Sequence, residues 1–315
     1  MNENKRKLLA KVAYLYYIED NTQAEIAKTL NIYRTTISRM LKQARAMGIV
    51  KVQIEGFDTK VFDLEQQLKR RFGLDNAVVV PNYENENHET KEKRLSAEAA
   101  LYLKQIIKPK DIVGFAWGSV LAGMVGQLNN PIKTEATFVP LVGGPSTANM
   151  QYHVNGIVYD AARQFGGRSL FVDAAAVQES KYVRDGIMNA QYFQEIQHCW
   201  ANLDIAFVGI GGGLNSHTSR WRDLLTATDQ QLLKARQAVG DCCCTFYDRS
   251  GKILTGDLLN RTIAIELAAL KQTPNVVGVA RSLSKVPSIK ALLTMSVLNT
   301  LITDEVTAQR ILDIS

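Results

Sequence analysis

Residues 22–48 read TQAEIAKTLNIYRTTISRMLKQARAMG, and the folding of this stretch sets the organisation of the whole chain. Thr22 and Glu25 stand at the spacing of a capping box, in which a hydroxyl and a carboxylate each satisfy a free amide at a helix start. A helix is therefore expected from Gln23. Ile26, Ala27 and Leu30 recur at helical spacing, and Asn31 enters the left-handed region at little cost, which marks a turn. A second periodic run follows with Ile37, Met40, Leu41, Ala44 and Met47 on one side, stopped by Gly48. At about 100° per residue, Thr35, Ser38, Arg39 and Lys42 fall on the opposite side. Between Ile26 and Ile54 the chain carries six basic side chains and no acidic one.

That basicity is local. The 315 residues have a net charge of +6, but residues 1–55 hold ten Lys/Arg against five Asp/Glu, and the remainder holds 27 against 26. A positive patch confined to a small amino-terminal unit is the footprint of a surface that neutralises phosphates. With 46% hydrophobic residues, the chain can bury a substantial core, and one small and one large domain are expected. No run of apolar residues is long enough to span a bilayer, and the amino terminus lacks the apolar core and cleavage site of a signal peptide. A cytoplasmic protein without a membrane partner is expected. The cysteines are Cys199, Cys242, Cys243 and Cys244; their spacing matches neither a zinc site nor an extracellular disulfide framework, so reduced thiols on or near a strand are expected. Neither a metal nor a cofactor is expected.

Position by position, residues 23–47 resemble a helix-turn-helix. Gln23 is its first residue, the small Ala27 is fifth, Asn31 takes the turn, and Ile37 and Met40 stand where the helices pack. In that motif the second helix enters the major groove, its side chains reaching base edges while flanking groups grip phosphate. Arg39 is the candidate guanine contact, and Thr35 and Thr36 are candidates for base edges or thymine methyls. Tyr33, Lys42 and Arg45 are assigned to the DNA backbone, and Gln23, Arg34 and Ser38 complete the DNA-facing set. GIVKVQIEG at 48–56 alternates like an edge strand, which makes a winged variant and adds Lys51 to the phosphate contacts. A basic run alone is more often a solvated helical face; here the cap, the turn, the core positions and the absence of acids agree on the DNA-binding reading.

The expected domains are a winged helix-turn-helix over 1–56, a linker helix over 57–75, and an effector-binding and oligomerisation domain over 76–315. In DTKVFDLEQQLKRRFG (58–73), Val61, Leu64, Leu68 and Phe72 form one stripe. It packs on its own domain or on another subunit; self-association is favoured, because a helix-turn-helix reads two half-sites through a symmetric oligomer. Beyond residue 76, NAVVVP, DIVGFAWG, ATFVPLVGG, LDIAFVGIGGG, NVVGVARS and VLNTLITD read as buried strands separated by candidate helices. That is the rhythm of a parallel α/β sheet. Several of these strands run into small residues: Gly118 and Ser119; Gly143, Gly144 and Ser146; Gly209, Gly211 and Gly212; Ser282 and Ser284. Ligands of open α/β sheets bind at the carboxyl ends of strands, where glycine admits close backbone approach. GIGGGLN is not a dinucleotide fingerprint, because Leu214 stands where the third glycine is needed.

Over almost its whole length the sequence resembles the SorC/DeoR-type sugar-binding transcriptional regulators, and most closely the sorbose/sorbitol operon regulators. The resemblance rests on IYRTTISRMLK, DIVGFAWG, VPLVGGPS followed by YHVN, GIMNAQYF, VGDCCCTFYD and RTIAIELAALK. It implies a winged helix-turn-helix joined to a Rossmann-like α/β effector domain of the sugar-phosphate isomerase/deaminase fold. It also implies a homo-oligomer, commonly a tetramer, with operator DNA and a phosphorylated sugar, sorbose or sorbitol phosphate, as partners. Gly143, Gly144, Pro145 and Ser146 would then line the effector pocket with Gly118 and Ser119. Lys285 follows a predicted strand beside Ser284 at a helix start, where ammonium, hydroxyl and amides can converge on a phosphate, with Arg281 as the weaker candidate. His153, Asn155, Asp241, Arg261 and Glu266 can pair with sugar hydroxyls. Where many relatives have Asp-Ile-Cys-Ser, this chain has Asp241 followed by three cysteines, which puts contacts there in doubt. A sugar-phosphate isomerase or deaminase carrying a DNA-binding module is the alternative. No catalytic residues are assigned, since the histidines at 88, 153, 198 and 217 stand in dissimilar contexts; Asp173, Asp204, Asp241 and Glu266 keep the alternative open.

Overall fold

The computed structural model describes residues 3–51, 58–129, 132–145, 152–214 and 224–314. The chain divides into two compact units, Met1–Asp58 and Thr59–Ser315.

In the first unit, α1 (Glu3–Tyr17), α2 (Gln23–Leu30) and α3 (Arg34–Ala46) enclose a small core. The Thr22 hydroxyl accepts from the Glu25 amide at 3.3 Å, and the Thr22 amide donates to the Glu25 carboxylate at 2.8 Å, so both halves of the capping box form. Those hydrogen bonds from Thr22 hold the Glu25 carboxyl below its ordinary pKa. Asn31 closes α2 in the left-handed region at φ 53°, ψ 46°. Ile26, Ile37, Met40, Leu41 and Ala44 are buried together with Leu9, Val12 and Ala13 of α1, a helix that the sequence reading did not place. Met47, expected on the buried side of α3, is exposed. Of the expected wing strand at 48–56, residues 48–51 form a turn and bends rather than a strand, and 52–56 lie outside the described residues.

The second unit begins with α4 (Thr59–Phe72), which is followed by β1 (Asn76–Val80) and α5 (His88–Ile106). The next elements are β2 (Ile112–Phe115), α6 (Ser119–Gly126), β3 (Thr137–Pro140), α7 (Val154–Phe165) and β4 (Arg168–Ser169). Helices α8 (Lys181–Met188) and α9 (Phe193–Ala201) then lead to β5 (Ile205–Gly211) and α10 (Ala227–Ala235). A hairpin of β6 (Gly240–Cys242) and β7 (Thr245–Tyr247) precedes the short helices α11 (Asp257–Asn260) and α12 (Leu267–Leu270). The chain ends with β8 (Asn275–Val279), α13 (Val286–Thr294), β9 (Thr300–Asp304) and α14 (Glu305–Asp313).

The strands line up as β1-β9-β8-β5-β2-β3-β4, all parallel, with β6 antiparallel to the end of β5 and β7 antiparallel to β6. Strands buried on both faces read as continuous apolar runs, which is why all six anticipated runs contain a strand; the two-residue β4 and the β6–β7 hairpin carry too little pattern to be anticipated. Right-handed crossovers place α5, α6 and α7 in touching succession on one face. The connections of β5 and β8 run the other way, which sends α13 to the opposite face. Gly114 on β2 is required by packing: a Cβ there would fall 2.4 Å from Leu141 Cδ2.

One expectation is corrected and one is met. The α4 stripe is not available for self-association, because Val61, Leu64 and Leu68 are buried in the core of their own unit, where α4 packs against β1 and α14. The cysteine run forms the tip of the β6–β7 hairpin, with Cys243 and Cys244 in the left-handed region at φ 47° and 57°. All four thiols are buried and free. The hydrogen bond with Cys243 and burial push the Cys242 thiol well up, and burial does the same to Cys244, so these are inert thiols. No helix among the described residues is long and apolar enough to cross a membrane.

Replacing Gly114 by alanine forces a methyl group against Leu141. A destabilisation of about 1–3 kcal/mol is expected, measured by urea unfolding of the full chain.

Candidate nucleic-acid interface and effector site

The inward turn of Ile37, Met40, Leu41 and Ala44 leaves Arg34, Thr35, Arg39 and Lys42 exposed on one side of α3, with Thr36 and Ser38 half-buried beside them. Tyr33, immediately before the helix, is 86% exposed. The start of α3 has no side-chain cap, so its amides and the positive end of its dipole remain available to a phosphate. Gln23 opens α2 and is half-buried, and Lys51 is exposed. Arg45, also exposed, has a partner within the unit. Its Nε donates to the Tyr17 hydroxyl at 2.7 Å and its guanidinium lies 5.5 Å from the Tyr17 ring centroid, so it ties α3 to α1.

In the second unit the site is built where strands end. The chain leaves β2 toward β3 and leaves β5 toward β8, so two neighbouring strands send their connections in opposite directions. A crevice opens at the carboxyl ends of such a pair. On the β2 side, Gly118 takes φ 135°, ψ 161° and begins α6 without a side-chain cap. Such a conformation is open to glycine and strains any other residue. On the β5 side, a Cβ at Gly209 would sit 3.4 Å from the Trp117 carbonyl, and one at Gly211 would fall 2.0 Å from Asp241 Oδ1. Gly211 is therefore what allows the buried Asp241 carboxylate of β6, its ladder partner, to lie against β5. Gly212 follows in the same turn.

One strand further, β8 leads into Ser282, whose φ of 113° is a strained value for a side-chain-bearing residue. Its amide donates to Thr307 Oγ1 at 3.0 Å, and its hydroxyl lies 2.9 Å from that of Ser284. Lys285 completes the 3-10 turn Leu283–Lys285 directly before α13. The exposed Ser284 hydroxyl and the half-buried Lys285 thus meet at a helix start. Arg281 is drawn off: one Nη donates to the His88 carbonyl at 2.8 Å and the other lies 3.8 Å from Asp304.

The end of β3 departs from expectation. The Gly143 amide donates to the Ile263 carbonyl at 2.8 Å and the Gly144 amide to Ala174 at 2.7 Å. Neither amide is therefore offered to an anion, and the glycines serve close backbone approach: a Cβ at Gly143 would lie 2.7 Å from the Ala175 carbonyl. Pro145 is buried beside them, and Ser146 lies outside the described residues. His153 caps α7, its Nδ1 accepting from the Asn155 amide at 3.1 Å. The neutral ring accordingly carries its proton on Nε2, which faces Gly144. Burial holds this histidine below its ordinary pKa, against the opposing charge of Asp173.

Two assigned ligands prove to be struts. Both ends of the Asn155 amide bind the Val172 backbone, at 3.1 and 3.0 Å. Arg261 is buried, with Nε on Asp257 at 2.9 Å, one Nη on Asp229 at 2.5 Å and the other on the Gln178 carbonyl at 3.0 Å. Burial pushes the Asp229 carboxyl up, and the hydrogen bonds from Arg261 and Thr226 with the Arg261 charge outweigh it, leaving the pKa below the ordinary value. Glu266 is exposed at the start of α12, just beyond the bridge of Ala264 to Val142. A residue that the sequence reading missed is Glu92 of α5, whose carboxylate accepts the Ser119 hydroxyl; no periodicity marks it, because the contact joins two helices.

A three-helix unit with a basic helix face, joined to a parallel α/β domain with a crevice at its switch point, is the build of a ligand-responsive regulator. The family described as "Putative sugar-binding domain" matches residues 58–313. The sorbitol operon regulator of Klebsiella pneumoniae is 36% identical over 99% of both chains. The crystal structure of that full-length regulator, SorC, superposes with a TM-score of 0.77 over 99% of this chain and 100% of that one. A transcriptional regulator from Streptococcus pneumoniae TIGR4, 37% identical, superposes with a TM-score of 0.78 over 82% of this chain and 98% of that one. The chain belongs to the SorC/DeoR-type sugar-binding transcriptional regulators, and it is a sugar-responsive regulator of transcription.

Arg261→Ala orphans a buried carboxylate, and a loss of about 3–5 kcal/mol at neutral pH is expected. Because the Asp229 pKa is lowered by folding, its contribution is complete above the ordinary carboxyl value and disappears as pH falls through the lower folded-state value. Urea unfolding across a pH series is therefore expected to show the variant's deficit shrinking in acid, where the orphaned carboxyl takes a proton.

Proposed function

We propose that the chain is a cytoplasmic, sequence-specific DNA-binding regulator of a sugar catabolic operon, released from or recruited to its operator by a sugar phosphate of the sorbose or sorbitol type. The observation that carries the effector assignment is the turn Ser282–Ser284–Lys285. There two hydroxyls lie 2.9 Å apart, Ser282 holds a strained backbone conformation, and Lys285 follows directly before α13. An ammonium and hydroxyls at a helix start are suited to a phosphate, and the name of the sorbitol operon regulator supports the choice of sugar. The exposed Arg39, Thr35 and Lys42 face supports the helix-turn-helix reading, in which Arg39 reads a guanine and Lys42 holds phosphate. Two half-sites call for a symmetric oligomer, and a tetramer is the form assigned. The protein acts as a sensor that returns its ligand unchanged rather than as an isomerase or deaminase; that its relatives are regulators supports this. A coupling of about 1–3 kcal/mol between crevice and DNA face is sufficient for control.

The first test is a thermal-shift panel of free and phosphorylated sorbose, sorbitol and fructose on the full chain. At a hundredfold excess over Kd the effector is expected to stabilise the protein by about 2.7 kcal/mol. Lys285→Ala is expected to abolish the preference for the phosphorylated over the free sugar, and a retained preference removes Lys285 from the site. NMR of the incubated sugar phosphate is expected to show no product. In operator titrations, Arg39→Ala is expected to relax sequence preference at a cost of about 1–3 kcal/mol, whereas Lys42→Ala weakens all DNA alike and lowers the salt slope by about one unit. Unchanged binding by both variants rules out α3 as the reading helix.

A further inference from the structure

The first turn of α5 stands over the same crevice, and its carboxylate bears on how a ligand lies there. His88, Glu92 and Ser96 follow one another at four-residue spacing, on one stripe of α5. Ser96 Oγ donates to the Val120 carbonyl at 3.0 Å, which sets this stripe against α6. Glu92, one turn earlier, accepts from Ser119, the first residue of α6. His88, a further turn of about 5.4 Å on, overhangs the start of α6. The His88 carbonyl accepts from Arg281, just past the end of β8, while Ser119 stands just past the end of β2. These two strands flank β5 and so lie about 10 Å apart. The α5 turn is thus fastened both to the residue after β2 and to the residue after β8.

Resting on the assignment of this crevice to a sugar phosphate, we propose that Glu92 reads the sugar hydroxyls and fixes the direction of the ligand, with the polyol end at Ser119 and the phosphate at Ser284 and Lys285. One Glu92 oxygen takes the Ser119 hydroxyl and the other lies 3.4 Å from Nδ1 of the exposed His88; a carboxylate is an acceptor only, with a further lone pair on each oxygen, and a polyol supplies the O–H donors that these take. The same negative charge at the start of α6 compensates the positive end of that helix and repels a phosphate from it. The ammonium of Lys285 lies at the β8 side, so the two ends of the crevice select opposite chemistries. With its side chain 22% exposed, Glu92 is partly withdrawn from water, which strengthens hydrogen bonds to it.

The test is calorimetric titration of the full chain and of its Glu92→Gln variant with sorbitol phosphate, sorbose phosphate and inorganic phosphate. Glutamine keeps an acceptor for Ser119, so the α5–α6 contact persists, and an unchanged melting temperature without ligand checks this. The variant is expected to bind the sugar phosphate about tenfold or more weakly, as for loss of a charged hydrogen bond, while inorganic phosphate, freed of the repulsion at α6, binds no more weakly than to the unaltered chain. Tighter binding of all three ligands overturns the proposal, since Glu92 then competes with phosphate at α6. Unchanged sugar phosphate affinity overturns it as well. Absence of binding by the unaltered chain is a different failure: it removes the sugar-phosphate reading of the crevice and the assignment of Glu92 with it.

Discussion

The second unit is organised by the adjacency of β2 and β5. Their side-by-side pairing, with Val113 opposite Ile205 and Phe115 opposite Phe207, forces their connections to leave in opposite directions. Several of the residues assigned to ligand recognition follow the ends of neighbouring strands: Gly118 and Ser119 after β2, Gly209 and Gly211 at the end of β5, and the Ser282–Lys285 turn after β8. The glycines have distinct reasons. Gly118 supplies a backbone conformation, Gly211 yields room to the Asp241 carboxylate, and Gly143 admits the Ala175 backbone. A row of glycines in the sequence is thus three different constraints in space.

The polar side chains around the crevice divide by what else they must do. Arg261 and Asn155 are saturated by internal partners, and their energetic value is to hold the 172–178 and 257–262 segments against the strand ends. A buried guanidinium with two carboxylates and a carbonyl is stable only as a complete set. Ser284, Lys285 and Glu92 stand at the rim instead, next to backbone already fixed by other bonds. A site of this build needs little rearrangement to receive a ligand, because its strain is stored beforehand at Ser282. The arrangement extends beyond the crevice. The helix that follows Lys285, α13, is tied through Lys290 to the Ile314 carbonyl, which also accepts from Arg71 of α4. Helices α4, α13 and α14 consequently form one packed block in the second unit.

Much of this was legible in the sequence, and the limits have physical causes. The capping box at Thr22 and Glu25, the left-handed Asn31 and the inward positions of α3 depend on neighbours within four residues, so local spacing was sufficient to determine them. The six buried strands were equally plain, since burial on both faces requires unbroken apolar runs. Glycines after strands marked the carboxyl ends of β2, β3 and β5, and the local charge excess marked the unit whose α3 exposes Arg34, Arg39 and Lys42.

Only the tertiary structure showed which of the candidate polar residues are saturated by internal partners and which stand exposed beyond the strand ends. Nothing in the spacing of Arg261 tells that Asp229, thirty-two residues away, will neutralise it, or that Arg45 will lean on Tyr17. The amides of Gly143 and Gly144 looked available because their partners, Ile263 and Ala174, come from distant segments. The α4 stripe fitted either an oligomer or its own core, and the packing of β1 and α14 chose the core. Sequence by itself determined α2, α3 and the six long buried strands, because those follow from local spacing and burial. The division of labour within the site required the fold, because a side chain's role depends on which long-range partners reach it first.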